Sequence, residues 1–225
     1  MRMRKKKNLY PRLEAVSDYV ILHESTMRFR LPESERYNIL NLSTVFGNDN
    51  PVYLEIGCGK GTFITETATL NPNINYVGVE VLENVIVMAG EMAKRKNLKN
   101  VRFFNMGAEL LQFFLAENTI SGIYLNFSCP YPKKQYENHR LTYKYFLNIY
   151  KTLLKSGSKI YLKTDNDGFF EYSLNSLTEN GFMVTDVTTD LYNSEYIVGN
   201  VATEYEKKFV ESGKNINRLV ATYEK

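Results

Sequence analysis

Cysteine and histidine are scarce in this chain. Of 225 residues, two are cysteine (Cys58, Cys129) and two are histidine (His23, His139). That count excludes a disulfide framework and the clustered ligands of a structural zinc site, so reduced thiols and no metal are expected. Neither histidine has a partner at metal or catalytic-triad spacing, and neither is assigned a catalytic role; His139, beside Arg140, is placed to touch a phosphate. Apolar runs near the roughly 20 residues needed to cross a bilayer are missing. The basic start Met1-Arg2-Met3-Arg4-Lys5-Lys6-Lys7 leads into no apolar stretch of signal-peptide type. A cytoplasmic protein without membrane association is therefore expected. Internal repeats and low-complexity linkers are also lacking. Charge of one sign is barely in excess: 28 Lys and Arg stand against 25 Asp and Glu, a formal +3. Where the charge lies matters more than its sum.

What is present is a chain 44% hydrophobic, long enough for one sizeable core and too short for two comfortable domains. The organisation expected is a basic arm and lead-in over 1–40 and one domain over 41–225. Strand-like runs alternate with helical periodicity: Val52 to Ile56 then Phe63 to Leu70, Asn75 to Glu80 then Val85 to Lys96, Val101 to Asn105 then Ala108 to Ala116. The alternation continues with Ser121 to Phe127, a helix from about His139 to Leu154, Lys159 to Thr164, and a helix from about Gly168 to Asn180. Two last strands, Phe182 to Asp190 and Asn217 to Tyr223, read as an antiparallel pair closing the sheet edge. The fold class is α/β, a mostly parallel sheet of seven strands with helices on both faces and ligands at the carboxyl ends of the strands.

Charge is concentrated in two places. Five of the first seven residues are Lys or Arg, an arm suited either to phosphates or to free solvent. On a helix from about His139, Arg140, Lys144, Lys151 and Lys155 fall in one sector, opposite Phe146, Ile149, Tyr150 and Leu153.

The densest chemical signal is Glu55-Ile56-Gly57-Cys58-Gly59-Lys60-Gly61, directly after the apolar run Pro51-Val52-Tyr53-Leu54. It reads as a strand ending in a tight glycine turn wrapped around a nucleotide-like ligand. A dinucleotide fingerprint needs its third glycine at position 62, which is Thr62. The acid followed by G-x-G-x-G instead resembles motif I of the class I S-adenosylmethionine-dependent methyltransferases. Glu80, ending the next strand, stands where such folds place a carboxylate on the ribose hydroxyls; the alternative is a residue capping the following helix. Glu55 either contacts the ligand or orients the loop.

Further along come Asn126-Phe127-Ser128-Cys129-Pro130-Tyr131-Pro132-Lys133-Lys134, then Arg140-Leu141-Thr142-Tyr143, Lys163-Thr164-Asp165-Asn166, Phe170-Glu171-Tyr172-Ser173 and Thr203-Glu204-Tyr205-Glu206. With Phe46-Gly47-Asn48-Asp49-Asn50-Pro51 and the basic Arg4-Lys5-Lys6, this ordered set resembles the bacterial tRNA (guanine-N7-)-methyltransferase family over nearly the whole chain. The resemblance implies a single Rossmann-like domain of class I methyltransferase type. It also implies methyl transfer from S-adenosylmethionine to the variable-loop guanine, position 46 of tRNA. Carried over residue by residue, it implies cofactor contacts at Glu55, Gly57, Gly59, Gly61, Glu80 and Asn105, with Cys129 at the loop. Substrate contacts are implied at Lys133, Asp165, Thr203, Glu204, Tyr205 and Glu206. Asp165 and Glu206 are the carboxylates expected to act by electrostatics and positioning; the alternatives are a helix N-cap for Asp165, compatible with substrate binding, and a surface lysine for Lys133. The partner implied is tRNA, with no obligate protein partner and either a monomer or a homodimer.

The chain departs from the family twice. The loop usually reads Ser-Asp-Pro-Trp-Pro-Lys, and this chain has Cys129 for the aspartate and Tyr131 for the tryptophan. The aspartate usual after the third strand is replaced in Asn105-Met106-Gly107. Tyr131 keeps an aromatic face for stacking, whereas a neutral thiol is a poor acceptor. Neither loss removes a required base, because N7 of guanine carries a free in-plane lone pair. Three other readings stand beside this one. Ser128-Cys129-Pro130-Tyr131 is also similar to the loop of amino-methyltransferases, with Cys129 breaking its proline pair. Cys129-Pro130 is similar to the nucleophile of cytosine-C5 methyltransferases, and the two lost aspartates fit a relative that binds tRNA or cofactor without catalysis.

Overall fold

The structure is a computed structural model and describes residues 8–23 and 39–225. The basic arm at Arg4, Lys5 and Lys6 lies outside the described residues. The chain gathers into two compact units, Met1–Ala116 and Glu117–Lys225.

The first unit is built on four parallel strands, β1 (Val20–His23), β2 (Val52–Ile56), β3 (Asn75–Val79) and β4 (Val101–Asn105), in the order β1-β4-β3-β2. Every residue of β3 is buried, as a parallel strand covered on both faces requires, which is why its sequence shows no polar alternation. Gly78 within β3 is dictated by packing: a Cβ there would stand 2.7 Å from the Phe103 ring and 2.9 Å from the Cys58 sulfur. Among the described residues, four helices belong to this unit: α1 (Leu9–Glu14), α2 (Leu42–Phe46), α3 (Thr62–Leu70) and α4 (Glu83–Arg95). Helix α1 is fastened to α4 by Arg12, whose Nε and Nη2 donate to the two Glu91 oxygens at 2.7 and 2.8 Å. The helix expected over Ala108 to Ala116 is a short 3-10 segment, Ala108–Phe113.

The second unit carries β5 (Ile120–Asn126), β6 (Leu154–Thr164), β7 (Met183–Thr188) and β8 (Asn217–Tyr223), in the order β5-β6-β8-β7. Strands β5 and β6 are parallel, whereas β8 runs antiparallel to both β6 and β7, so the expected closing pair is present. Its helices are α5 (Lys144–Leu153), α6 (Asp167–Glu179) and α7 (Glu204–Glu211). Helix α5 buries Leu147, Ile149, Tyr150 and Leu153, a face at i, i+3, i+6 spacing.

Two expectations need correction. The strands number eight among the described residues rather than seven, the addition being β1, which pairs with β4. Four residues are too few for a periodic signal, and only the exposed edge of β4 gives them backbone partners. The basic stripe also dissolves: Arg140 precedes α5 and Lys155 lies in β6, leaving Lys144 and Lys151 on the helix. Of these, Lys151 Nζ lies over the Phe182 and Tyr223 rings, at 5.7 and 5.6 Å. Among the described residues no helix is long and apolar enough to cross a membrane.

Candidate active site

In the first unit, β2 and β3 end level, with Glu55 opposite Gly78 and Ile56 opposite Val79. The chain then turns through Gly57, Gly59 and Gly61, all left-handed, with φ of 81°, 56° and 81°. The turn is pinned to β3 because the N–H groups of Gly57 and Cys58 both donate to the Val79 carbonyl, at 2.8 and 3.0 Å. The three glycines differ in purpose. At Gly57 and Gly59 an added Cβ would meet nothing within 4 Å, so the turn has an open concave side with bare backbone. At Gly61 it would stand 2.7 Å from Ala89 Cβ, so that glycine permits α3 and α4 to approach.

Glu80 closes the turn from β3. One carboxylate oxygen accepts from Gly59 N at 3.2 Å and the other from Leu82 N at 2.9 Å. Burial pushes its carboxyl up, against the lowering effect of the N–H groups of Leu82, Gly59 and Val81. Glu80 therefore braces the loop before α4 without capping it, since the N-cap position is Leu82 and takes no side-chain bond, and as an acceptor-only group it retains lone pairs for further donors. Glu55 is buried. Burial first, then the charges of Glu55 and Glu80, drive the Cys58 thiol well above its ordinary value, so Cys58 is a neutral packing residue. Asn105 does not open onto the turn directly. It is buried and donates to the Glu80 carbonyl at 2.8 Å, holding the ends of β3 and β4 together. A bare-backbone cradle with a half-buried acceptor on one rim fits a nucleoside-bearing cofactor.

The second unit carries the substrate candidates. The loop after β5 is strained at Phe127 (φ 52°) and Tyr131 (φ 40°), conformations that non-glycine residues adopt only when their surroundings impose them. Arg140 imposes one. Its Nε donates to the carbonyls of Pro130 (3.1 Å) and Tyr131 (3.3 Å), its Nη2 donates to Tyr131 at 3.0 Å, and its guanidinium stacks 4.2 Å from the centre of the Tyr172 ring. Burial and Glu137 hold the Tyr172 hydroxyl up at about 12, so the stacking partner stays neutral. His139 packs against the Tyr131 ring at 5.4 Å. Cys129 is exposed, and Lys133 is exposed at the start of the 3-10 segment Lys134–His139.

Asp165, at the end of β6, is not the cap of α6. That place belongs to Asn166, whose Oδ1 accepts from Phe169 N at 2.8 Å. Asp165 pairs instead with Lys214 at 2.6 Å and lines an open cavity of about 1050 Å³ with Asn166, Phe170, Glu171, Lys214 and Asn217.

Thr203 and Glu206 are brought together as a capping box at the start of α7: Thr203 Oγ1 accepts from Glu206 N at 2.9 Å, and Thr203 N donates to Glu206 Oε2 at 3.3 Å. Glu206 is wholly buried, and its remaining acceptor positions are filled. Lys163 donates to Oε2 at 2.5 Å, while Asn200 and Tyr192 donate to Oε1 at 2.6 and 3.3 Å. Lys163 spends its other two donors on the Asn200 side chain and the Val201 carbonyl, both at 2.9 Å. A carboxylate so saturated holds in place the backbone that carries Glu204 and Tyr205. Of these two, Tyr205 is 60% exposed beside Phe209 and Lys208.

Sequence reasoning missed Lys163, Lys214 and Arg140 as partners of the expected residues. A lysine directly after the apolar run Ile160-Tyr161-Leu162, near the end of β6, was the available signal for Lys163, since a charge in such a run demands a buried acceptor.

A mostly parallel sheet with an antiparallel closing pair, and an acid-braced glycine turn after its second strand, define a class I methyltransferase. Solved structures agree on the fold: "Structure of an Antibiotic Related Methyltransferase" matches with a TM-score of 0.60 and 19% identity, covering 83% of this chain and 97% of that one. The 16S rRNA methyltransferase KamB matches with a TM-score of 0.62 and 13% identity, over 84% and 95%. The family model described as "Putative methyltransferase" matches residues 49–219. A tRNA (guanine-N(7)-)-methyltransferase of Geobacillus sp. (strain WCH70) is 44% identical over 99% of this chain and 96% of its own length. The protein of that name from Bacillus subtilis (strain 168) is 47% identical over 78% and 82%, and that from Streptococcus thermophilus (strain CNRZ 1066) is 40% identical over 99% of both. The chain belongs to the tRNA (guanine-N7-)-methyltransferase family.

Proposed function

We propose that this protein methylates N7 of a guanine in tRNA, the variable-loop guanine at position 46, with S-adenosylmethionine as the methyl donor, in the cytoplasm. The observation that carries this reading is the coexistence in one chain of the open glycine turn gripped by Glu80 and the ordered loop and cap, Asn126 to Lys133 and Thr203 to Glu206, that distinguish this family. Gly57 and Gly59 offer bare backbone to the methionine half of the cofactor and Glu80 accepts from its ribose hydroxyls, with Glu55 buried at the strand end. When bound, the cofactor supplies an electrophilic sulfonium methyl, which the N7 lone pair takes without prior loss of a proton.

The protein therefore needs to supply position and charge rather than a base. Holding a nucleophile in line with its target contributes on the order of several kcal/mol. Lys133 offers a charge to the tRNA backbone, and Tyr205 offers a ring face to a base. Asp165 stabilises the positive charge that grows on the purine as the methyl arrives. Glu206 acts at one remove, through the cap it makes with Thr203 and the pair it makes with Lys163. The test is nucleoside mass analysis of unmodified tRNA incubated with the protein and S-adenosylmethionine, beside a tRNA whose variable-loop guanine is replaced. Formation of 7-methylguanosine in the first alone is expected; equal formation in both, or none in either, refutes the proposal.

A further inference from the structure

The backbone gives no reason for glycine at position 107. Its φ of −77° is open to any residue. What occupies the side-chain position is Glu109: a Cβ built on Gly107 would fall onto the Glu109 carboxylate oxygens. Glu109 lies in the first turn of the 3-10 segment after β4 and is an exposed residue, yet its carboxylate is folded back over the strand end. At the end of β3, the neighbouring strand, Val81 and Leu82 follow Glu80 and are 56% and 45% exposed. Large apolar side chains left open beside the half-buried Glu80 form a face for a flat apolar ring. Asn105 ties these two strand ends together through its bond to the Glu80 carbonyl.

Resting on the methyltransferase reading above, we propose that Glu109 accepts a hydrogen bond from the exocyclic amine of the cofactor's adenine. Its carboxylate fills the place that an aspartate side chain at position 107 would take, and Val81 and Leu82 cover the ring. A carboxylate only accepts, so it pairs with an amine and repels a carbonyl at the same ring position. The lost aspartate is thereby replaced from two residues further along the chain.

The test is isothermal titration of the full chain with S-adenosylhomocysteine and with S-inosylhomocysteine, in which a carbonyl oxygen replaces the amine. The wild type is expected to bind the adenosyl compound about ten-fold tighter or more, the scale of one charged hydrogen bond. Glu109→Ala weakens the adenosyl compound by about that factor and leaves the inosyl compound unchanged. Gly107→Asp on the Glu109→Ala background restores the preference, since the smaller residue vacates the space. Equal weakening of both compounds in Glu109→Ala, weakening of neither, no preference in the wild type, or no restoration by Gly107→Asp in a folded double variant overturns the proposal. Failure of the wild type to bind either compound refutes the cofactor reading instead, so the two failures are distinguishable.

Discussion

Lys163→Met is the substitution whose outcome the structure fixes most sharply. The lysine is nearly buried, Glu206 is wholly so, and they stand 2.5 Å apart. Methionine keeps most of the side-chain volume and removes the charge and its three hydrogen bonds, to Glu206, Asn200 and the Val201 carbonyl. The Glu206 carboxylate then remains buried with no cation. Breaking a buried pair from one side costs about 3–5 kcal/mol. For a chain of this size each kcal/mol lowers the melting temperature by about 2–4 °C, so a fall of about 6–20 °C is expected at pH 7. The exposed Lys208–Glu204 pair on α7 is the control. Lys208→Met is expected within about 0.5 kcal/mol of wild type, because solvent screens that pair. Adding Glu206→Leu to Lys163→Met removes the stranded charge but leaves Asn200, Tyr192 and the Thr203 N–H without their acceptor. The double variant should therefore lie about 1–3 kcal/mol above the sum of the single changes without regaining wild-type stability. Calorimetric melts of the four variants decide the matter. A Lys163→Met protein melting within about 2 °C of wild type would refute the reasoning, since it would mean the carboxylate is relieved by solvent.

Other outcomes follow from the same geometry. Gly61→Ala forces a Cβ onto Ala89 at a left-handed backbone position; strain and overpacking together should destabilise by about 2–4 kcal/mol in a urea titration. Glu80 has a raised carboxyl pKa, so its contribution to stability is present below the unfolded value and lost as pH rises through the folded one. Melting curves across that window should shift in favour of Glu80→Gln, relative to wild type, as pH increases, and a pH-independent difference would contradict the burial argument. Cofactor affinity of the wild type should fall as pH drops through the same range. Lys133→Ala is expected to raise the KM for tRNA while leaving the cofactor Kd unchanged, and unaltered tRNA kinetics would remove Lys133 from the site. Cys129→Ser should retain activity because no covalent step involves the exposed thiol, whereas complete loss in a folded variant would revive a thiolate mechanism.

Much of the architecture was legible because parallel strands buried on both faces are continuous apolar runs: β2, β3 and β4 fall within a residue of their expected bounds, and β8 coincides. Helices around position 140 were misjudged for a corresponding reason. Helical periodicity through Arg140 is real, but that side chain is used on the carbonyls of Pro130 and Tyr131, and the helix proper starts at Lys144. Strand β1 is too short to announce itself and exists because β4 offers it an edge.

Local chemistry explains what the amino-acid sequence determined alone: the glycine turn, the acids at strand ends, the capping box of Thr203 and Glu206, and the family to which these motifs belong. Each depends on residues a few positions apart, and left-handed φ, strand termination and capping are local properties. Tertiary structure decided how each acid is used. Glu80 is raised by burial, Glu206 is saturated by Lys163 and Asn200, Asp165 is relieved of capping by Asn166, and Glu109 lies over Gly107. A carboxylate's behaviour is set by which donors and which dielectric surround it, and apart from short-range caps those neighbours come from distant parts of the chain that only folding brings within reach.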